Sequence, residues 1–93
     1  MEKITGKTST GFEFNYDKRI ITDWSYITLL RKMTNDDTSN TEKLDASQKV
    51  IILLLGEEQT DRLIKHVREN NDGFAPLESI ILEFNEMIEP KNL

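Results

Sequence analysis

Cysteine is absent from the chain and histidine occurs once, as His66. Without cysteine there can be no disulfide scaffold, thiolate nucleophile, iron–sulfur ligation or cysteine-based zinc site, and a reducing compartment fits. With one histidine there is no His–His metal pair, so zinc would have to be held almost wholly by carboxylates. Long apolar runs are also missing. The longest, Val50 to Leu55, has six residues, against the ~20 that span a bilayer, and Met1 to Lys7 lacks the apolar centre of a secretion signal. A soluble, cytoplasmic protein without a membrane partner is expected. Basic residues are the minority, 12 against 17 acidic ones for a net charge of −5. That is the wrong sign for a phosphate-backbone binder, so nucleic acid is not an expected partner. Between Glu57 and Glu89 the imbalance sharpens to nine acids and three bases.

What is present suits one small, highly charged domain over 1–93. Hydrophobic residues reach 37% and charged residues 31%, against a usual 45–50% or so and about a quarter. Residues 1–21 read as a β-hairpin region. Phe12, Phe14 and Tyr16 alternate with Glu13 and Asn15 and so share one face of an extended segment. Arg19-Ile20-Ile21 can pair back across Asp17-Lys18, Lys3 to Lys7 can add a third short strand, and Ser9-Thr10-Gly11 is the turn.

Residues 22–93 read as helical, interrupted by a polar loop over 35–44. Tyr26, Ile27, Leu29, Leu30 and Met33 form one side of a first helix that ends near Thr34. Asp45-Ala46-Ser47-Gln48 resembles a capping box and Gly56 a helix stop, which places a second helix over about 46–55. Its Val50 to Leu55 run is apolar all round, so this helix should be central and covered on several sides; a buried strand is the alternative for the run alone. A third helix spans 57–70, with Thr60, Leu63, Ile64 and Val67 inward. A fourth is opened by Pro76 at its first position, ended by Pro90, and striped by Leu77, Ile80, Ile81, Phe84 and Ile88. The expected fold is mainly α (α+β), an N-terminal β-hairpin packed on a compact bundle of about four helices.

Signals for chemistry are weak. Gly6-Lys7-Thr8 resembles the end of a phosphate-binding loop, but Met1 stands where the earlier glycine belongs and a strand follows. The 36–45 segment lacks the sixth-position glycine and the twelfth-position glutamate of a calcium loop, and the register set by Gly73 puts Arg68 at a first ligand position. His66 has no nearby nucleophile in sequence, and the carboxylate pairs Glu57/Glu58 and Glu86/Glu89 lie on charged helix faces where they stay solvated. The chain is expected to be no enzyme and to use neither cofactor nor metal.

Two apolar residues break the amphipathic scheme. Leu82 lies about 140° from Leu77 on the helical wheel, among Glu78, Glu83, Glu86 and Glu89. An apolar point ringed by acids suits a protein partner; the competing reading is a second face covered by the hairpin or by self-association. Trp24 also lies off its helix's stripe. It is expected to seal the Phe12/Phe14/Tyr16 face against the helices, and it is kept as a second candidate contact.

Thr8-Ser9-Thr10-Gly11-Phe12-Glu13-Phe14, Asp23-Trp24, Leu53-Leu54-Leu55-Gly56-Glu57-Glu58-Gln59 followed by Leu63, and Gly73 with Pro76-Leu77-Glu78 together resemble the small tail assembly chaperones of long-tailed phages and prophages of Gram-positive bacteria. The resemblance spans nearly the whole chain. It implies a non-enzymatic protein that binds the tape-measure protein and keeps it soluble until tail-tube subunits polymerise around it, with the tube protein as a further partner. It also implies a longer frameshifted form in some members. The competing class is a small acidic regulatory protein that mimics nucleic acid in a basic groove of a host or phage protein. Binding that collapses with salt would favour mimicry, and salt-tolerant binding an apolar contact.

Overall fold

The computed structural model describes residues 2–89; Pro90, expected to end the last helix, lies outside them. The alternation of Phe12, Phe14 and Tyr16 sends all three rings inward, where each is buried. Phe14 and Tyr16 lie in strand β2 (Glu13–Asp17), with Phe12 just before it, and β2 pairs antiparallel with β1 (Lys3–Lys7) in a register that sets Gly6 opposite Phe14. A Cβ at Gly6 would meet Phe14 Cζ at 2.8 Å, so the ring lies against bare backbone there. The sheet has these two strands alone among the described residues. Arg19 to Ile21, expected to pair back on β2, form a 3₁₀ turn (Lys18–Thr22) instead. Asp17 causes this, because its carboxylate accepts from the Arg19 amide and holds the Arg19 guanidinium at 2.7 Å, turning the chain as soon as the strand ends.

Helix α1 (Trp24–Thr34) is capped by Asp23, which accepts from the Ser25 amide, and it buries Tyr26. Trp24 does not seal the aromatic face: it is 85% exposed on the first turn. Beyond a shorter loop comes α2 (Asn40–Glu69), one element where two helices were expected. Among the described residues the bundle thus has three helices, not four. The expected boundary at Gly56 survives as a kink, with φ 80° and ψ 165°.

The start of α2 lies six residues before the expected position at Ala46, and the polar loop shrinks accordingly to 35–39. Ser39 accepts from the Glu42 amide and donates to the Glu42 carboxylate, a local Ser-x-x-Glu cap. Asp45, taken for the cap, pairs with Lys49 one turn on, at 3.0 Å. Val50 to Leu55 is helical, but it is not covered all round. Val50, Ile51, Leu54 and Leu55 face the core, whereas Ile52 is 42% and Leu53 38% exposed. Helix α3 (Leu77–Ile88) is preceded by Pro76, which occupies the cap and not the first turn.

One cluster joins the hairpin's three rings to Tyr26, to Val50, Ile51, Leu54, Leu55, Leu63 and Val67 of α2, and to Ile80, Phe84 and Met87 of α3. No helix among the described residues is long and apolar enough to cross a membrane.

Candidate partner-binding site

The stripe Leu77, Ile80, Ile81, Phe84, Ile88 points at one side of α3, but the side that is buried carries Ile80, Glu83, Phe84 and Met87. At 100° per residue the helix is turned by roughly 70° from the expected face. That rotation brings a carboxylate inside and leaves Leu77, Ile81 and Ile88 only half-buried.

Glu83 is the consequence. It is 5% exposed, and its Oε1 accepts from the Thr8 hydroxyl at 2.9 Å and the Thr10 hydroxyl at 2.8 Å. The Thr8 hydroxyl in turn accepts from the Phe12 amide, closing the hairpin turn. One residue along, Ser9 donates its amide and its hydroxyl to the two oxygens of Glu86, at 2.7 and 2.8 Å. The Thr8-Ser9-Thr10 turn is therefore clasped by α3 from 75 residues away in sequence. His66 completes the clasp, with Nε2 at 2.9 Å from the Thr10 hydroxyl.

Two further contacts hold the hairpin to the helices. Gln59, one turn past the kink, donates to the Asn15 carbonyl at 2.7 Å and accepts from its amide at 2.9 Å, satisfying the free edge of β2. The Tyr16 hydroxyl donates to the Met87 carbonyl at the end of α3, and burial raises its pKa. Burial acts more strongly on Tyr26, which is pushed up to about 12.

Between α3 and the end of α2 lies a recess of about 470 Å³ walled by Ser79, Leu82, Glu83, Glu86 and Glu89 on one side and His66, Val67, Asn70 and Asn71 on the other, with Ser9 and Thr10 at one end. Four of the six expected contact residues meet here. Leu82 is 59% exposed, which removes the reading in which the hairpin covers it. Glu86 and Glu89 are half-buried beside it, whereas Glu83 belongs to the clasp and is no surface acid. Glu78 is exposed on α3 outside this recess, and Trp24 lies apart on α1.

The other flank of α3 carries an apolar surface that wheel reasoning missed. A cleft of about 660 Å³, lined by Leu44, Ile52, Ile64, Ala75 and Leu77 among others, meets a second of about 610 Å³ lined by Met33, Lys43 and Ile81, and the two share Leu44 and Leu77. Leu44 is 53% exposed. The rotation of α3 assigns Leu77 and Ile81 to its walls, and the earlier start of α2 places Leu44 there. Among the described residues no group of three or more His, Asp or Glu side chains is placed to hold a metal ion.

The arrangement offers apolar surface on both sides of one helix, with acids on the recess side and Lys43 and Arg68 beside the clefts on the other. Compared with protein-family models, with curated proteins and with solved structures, the chain matches none of them.

Proposed function

We propose that this protein is a tail assembly chaperone of a phage or prophage, acting in the bacterial cytoplasm to bind the tape-measure protein and keep it soluble, and that it is not an enzyme. The sequence resemblance is the source of the reading. The observation that supports it is Leu82, a large apolar side chain 59% exposed in the middle of the acidic outer face of α3. A long helical partner with apolar stripes aggregates unless those stripes are covered. An exposed leucine edged by Glu78, Glu86 and Glu89 suits an amphipathic helix that has lysines beside its stripe, the apolar centre giving affinity and the charges orientation and on-rate.

The mimicry alternative needs a continuous, solvated row of acids. Two acids of α3 are instead committed to Thr8, Thr10 and Ser9, which weighs against it. Co-expression with a tape-measure fragment tests the proposal. A soluble complex that survives molar salt is expected, and a fragment that stays in the pellet, or a complex that salt dissolves, would reject it.

A further inference from the structure

We infer that the recess between α3 and the end of α2 receives one lysine or arginine side chain of a protein partner, its aliphatic stem laid on Leu82 and Val67 and its cationic head at the second carboxylate oxygen of Glu83. The two hydroxyl donors of the clasp both go to Oε1. Oε2 has no hydrogen bond or ion pair among the described residues, and no side-chain polar atom without a partner is fully enclosed. Oε2 therefore keeps some access to solvent, and Glu83 is among the residues that line the recess. A carboxylate this buried is expected to be paired with a cation, since two hydroxyls satisfy lone pairs without cancelling charge.

The surroundings select the shape of that cation. Leu82 and Val67 offer apolar wall to methylene groups, as the stems of long basic side chains require. The attraction between that head and Glu83 counts for more in a partly desolvated recess than in open water. A volume of about 470 Å³ is near the lower bound of ligand sites, ~300 Å³, which is room for a side chain and a few waters and not for a helix. The exposed Leu82 continues the wall onto the outer face of α3, so the stem leads out to a chain lying there. The inference thus rests on the reading of that face as the partner surface and names what the partner inserts.

Amide and methyl NMR titration of the full chain at physiological salt tests it, with n-butylguanidinium as probe, n-butylurea as its uncharged match and spermidine as a free polyamine. Saturable shifts at Ser9, Thr10, Asn70 and Leu82 are expected with n-butylguanidinium and not with n-butylurea. Glu83→Gln should weaken the probe about tenfold or more, the loss expected of one hydrogen bond to a charged group. Because that change also touches the clasp, Ser79→Lys serves as the second variant. It tethers an ammonium one turn from Glu83, and it should abolish the probe's shifts while leaving the fold intact. Equal response to n-butylurea, or unchanged affinity in both variants, overturns the inference. Spermidine binding about tenfold tighter than n-butylguanidinium would assign the recess to a free polyamine and equally overturn it. The probes need no tape-measure protein: probe binding without tape-measure binding rejects the tail reading alone, and the reverse rejects the recess alone.

Discussion

Replacing Gly56 by L-alanine and by D-alanine should move stability in opposite directions. Gly56 has φ 80° and ψ 165°, a region that is essentially glycine's own, and a residue held in such a conformation costs of order 1–3 kcal/mol. An L-Cβ there would touch nothing within 4 Å, so the penalty is one of backbone alone. Against it stands the lower unfolded-state entropy of alanine, worth about 0.4–1 kcal/mol. The net for L-alanine is a loss of about 1–2 kcal/mol, or roughly 4–16 °C in melting temperature at 4–8 °C per kcal/mol. For a D-residue the same angles mirror to φ −80° and ψ −165°, extended backbone with little strain, so D-alanine should gain about 0.4–1 kcal/mol. Both proteins are accessible by chemical ligation and are compared by urea denaturation. If residues 40–69 were a straight helix in solution, L-alanine would instead stabilise by about 1 kcal/mol. A gain with L-alanine refutes the kink and with it the placement of Gln59 on β2.

Gln59→Ala removes both partners of the Asn15 backbone and should cost about 1–3 kcal/mol, with faster amide exchange at Asn15; unchanged exchange would contradict the contact. Since the pKa of Tyr16 is raised and that of Tyr26 is pushed to about 12, unfolded tyrosine binds its proton less tightly than folded tyrosine. Their contribution is therefore complete below about pH 10 and is lost as pH rises toward 12; denaturation midpoints that stay flat over that window would refute their burial. Trp24, the only tryptophan, should fluoresce as a water-exposed indole and be readily quenched by acrylamide, and a blue, protected emission would show that it seals the core after all. Leu82→Ser should change stability by no more than about 0.5 kcal/mol, as surface substitutions do, whereas Leu54→Asp puts a charge at a buried position and should prevent folding.

The elements that could be read from the chain are those whose logic is local. Three aromatics at every second position specify a buried strand face whatever pairs with it, and a glycine after a long apolar helix marks a break whether or not the helix resumes. The Ser39-x-x-Glu42 cap was equally local but was hidden in a run of polar residues that read as loop. The 3₁₀ turn escaped because Ile20-Ile21 has strand propensity that the Asp17–Arg19 contact overrides. Burial of Glu83 could not be read from α3 at all. A carboxylate counts as outward on a wheel, and only hydroxyls 75 residues away make its inward position tolerable. The same rotation assigns Leu77 to the Leu44/Leu77 surface, so one unreadable contact accounts for the lost surface acid and for part of the unforeseen cleft. Leu82 was legible because its exposure follows from the wheel whichever way the helix is turned within that range.

The central claim is that a partner helix lies on the outer face of α3 beside the recess. Titration of isotope-labelled protein with a peptide from a tape-measure protein, carrying an apolar stripe with flanking lysines, tests it most directly. Shifts should cluster at Ser79, Leu82, Asn85, His66 and Asn70, persist in high salt, and vanish with Leu82→Ser while the spectrum otherwise stays folded. Shifts confined to the outer side of the β-hairpin, or no shifts from wild-type protein at peptide concentrations that saturate co-purification, would contradict the account.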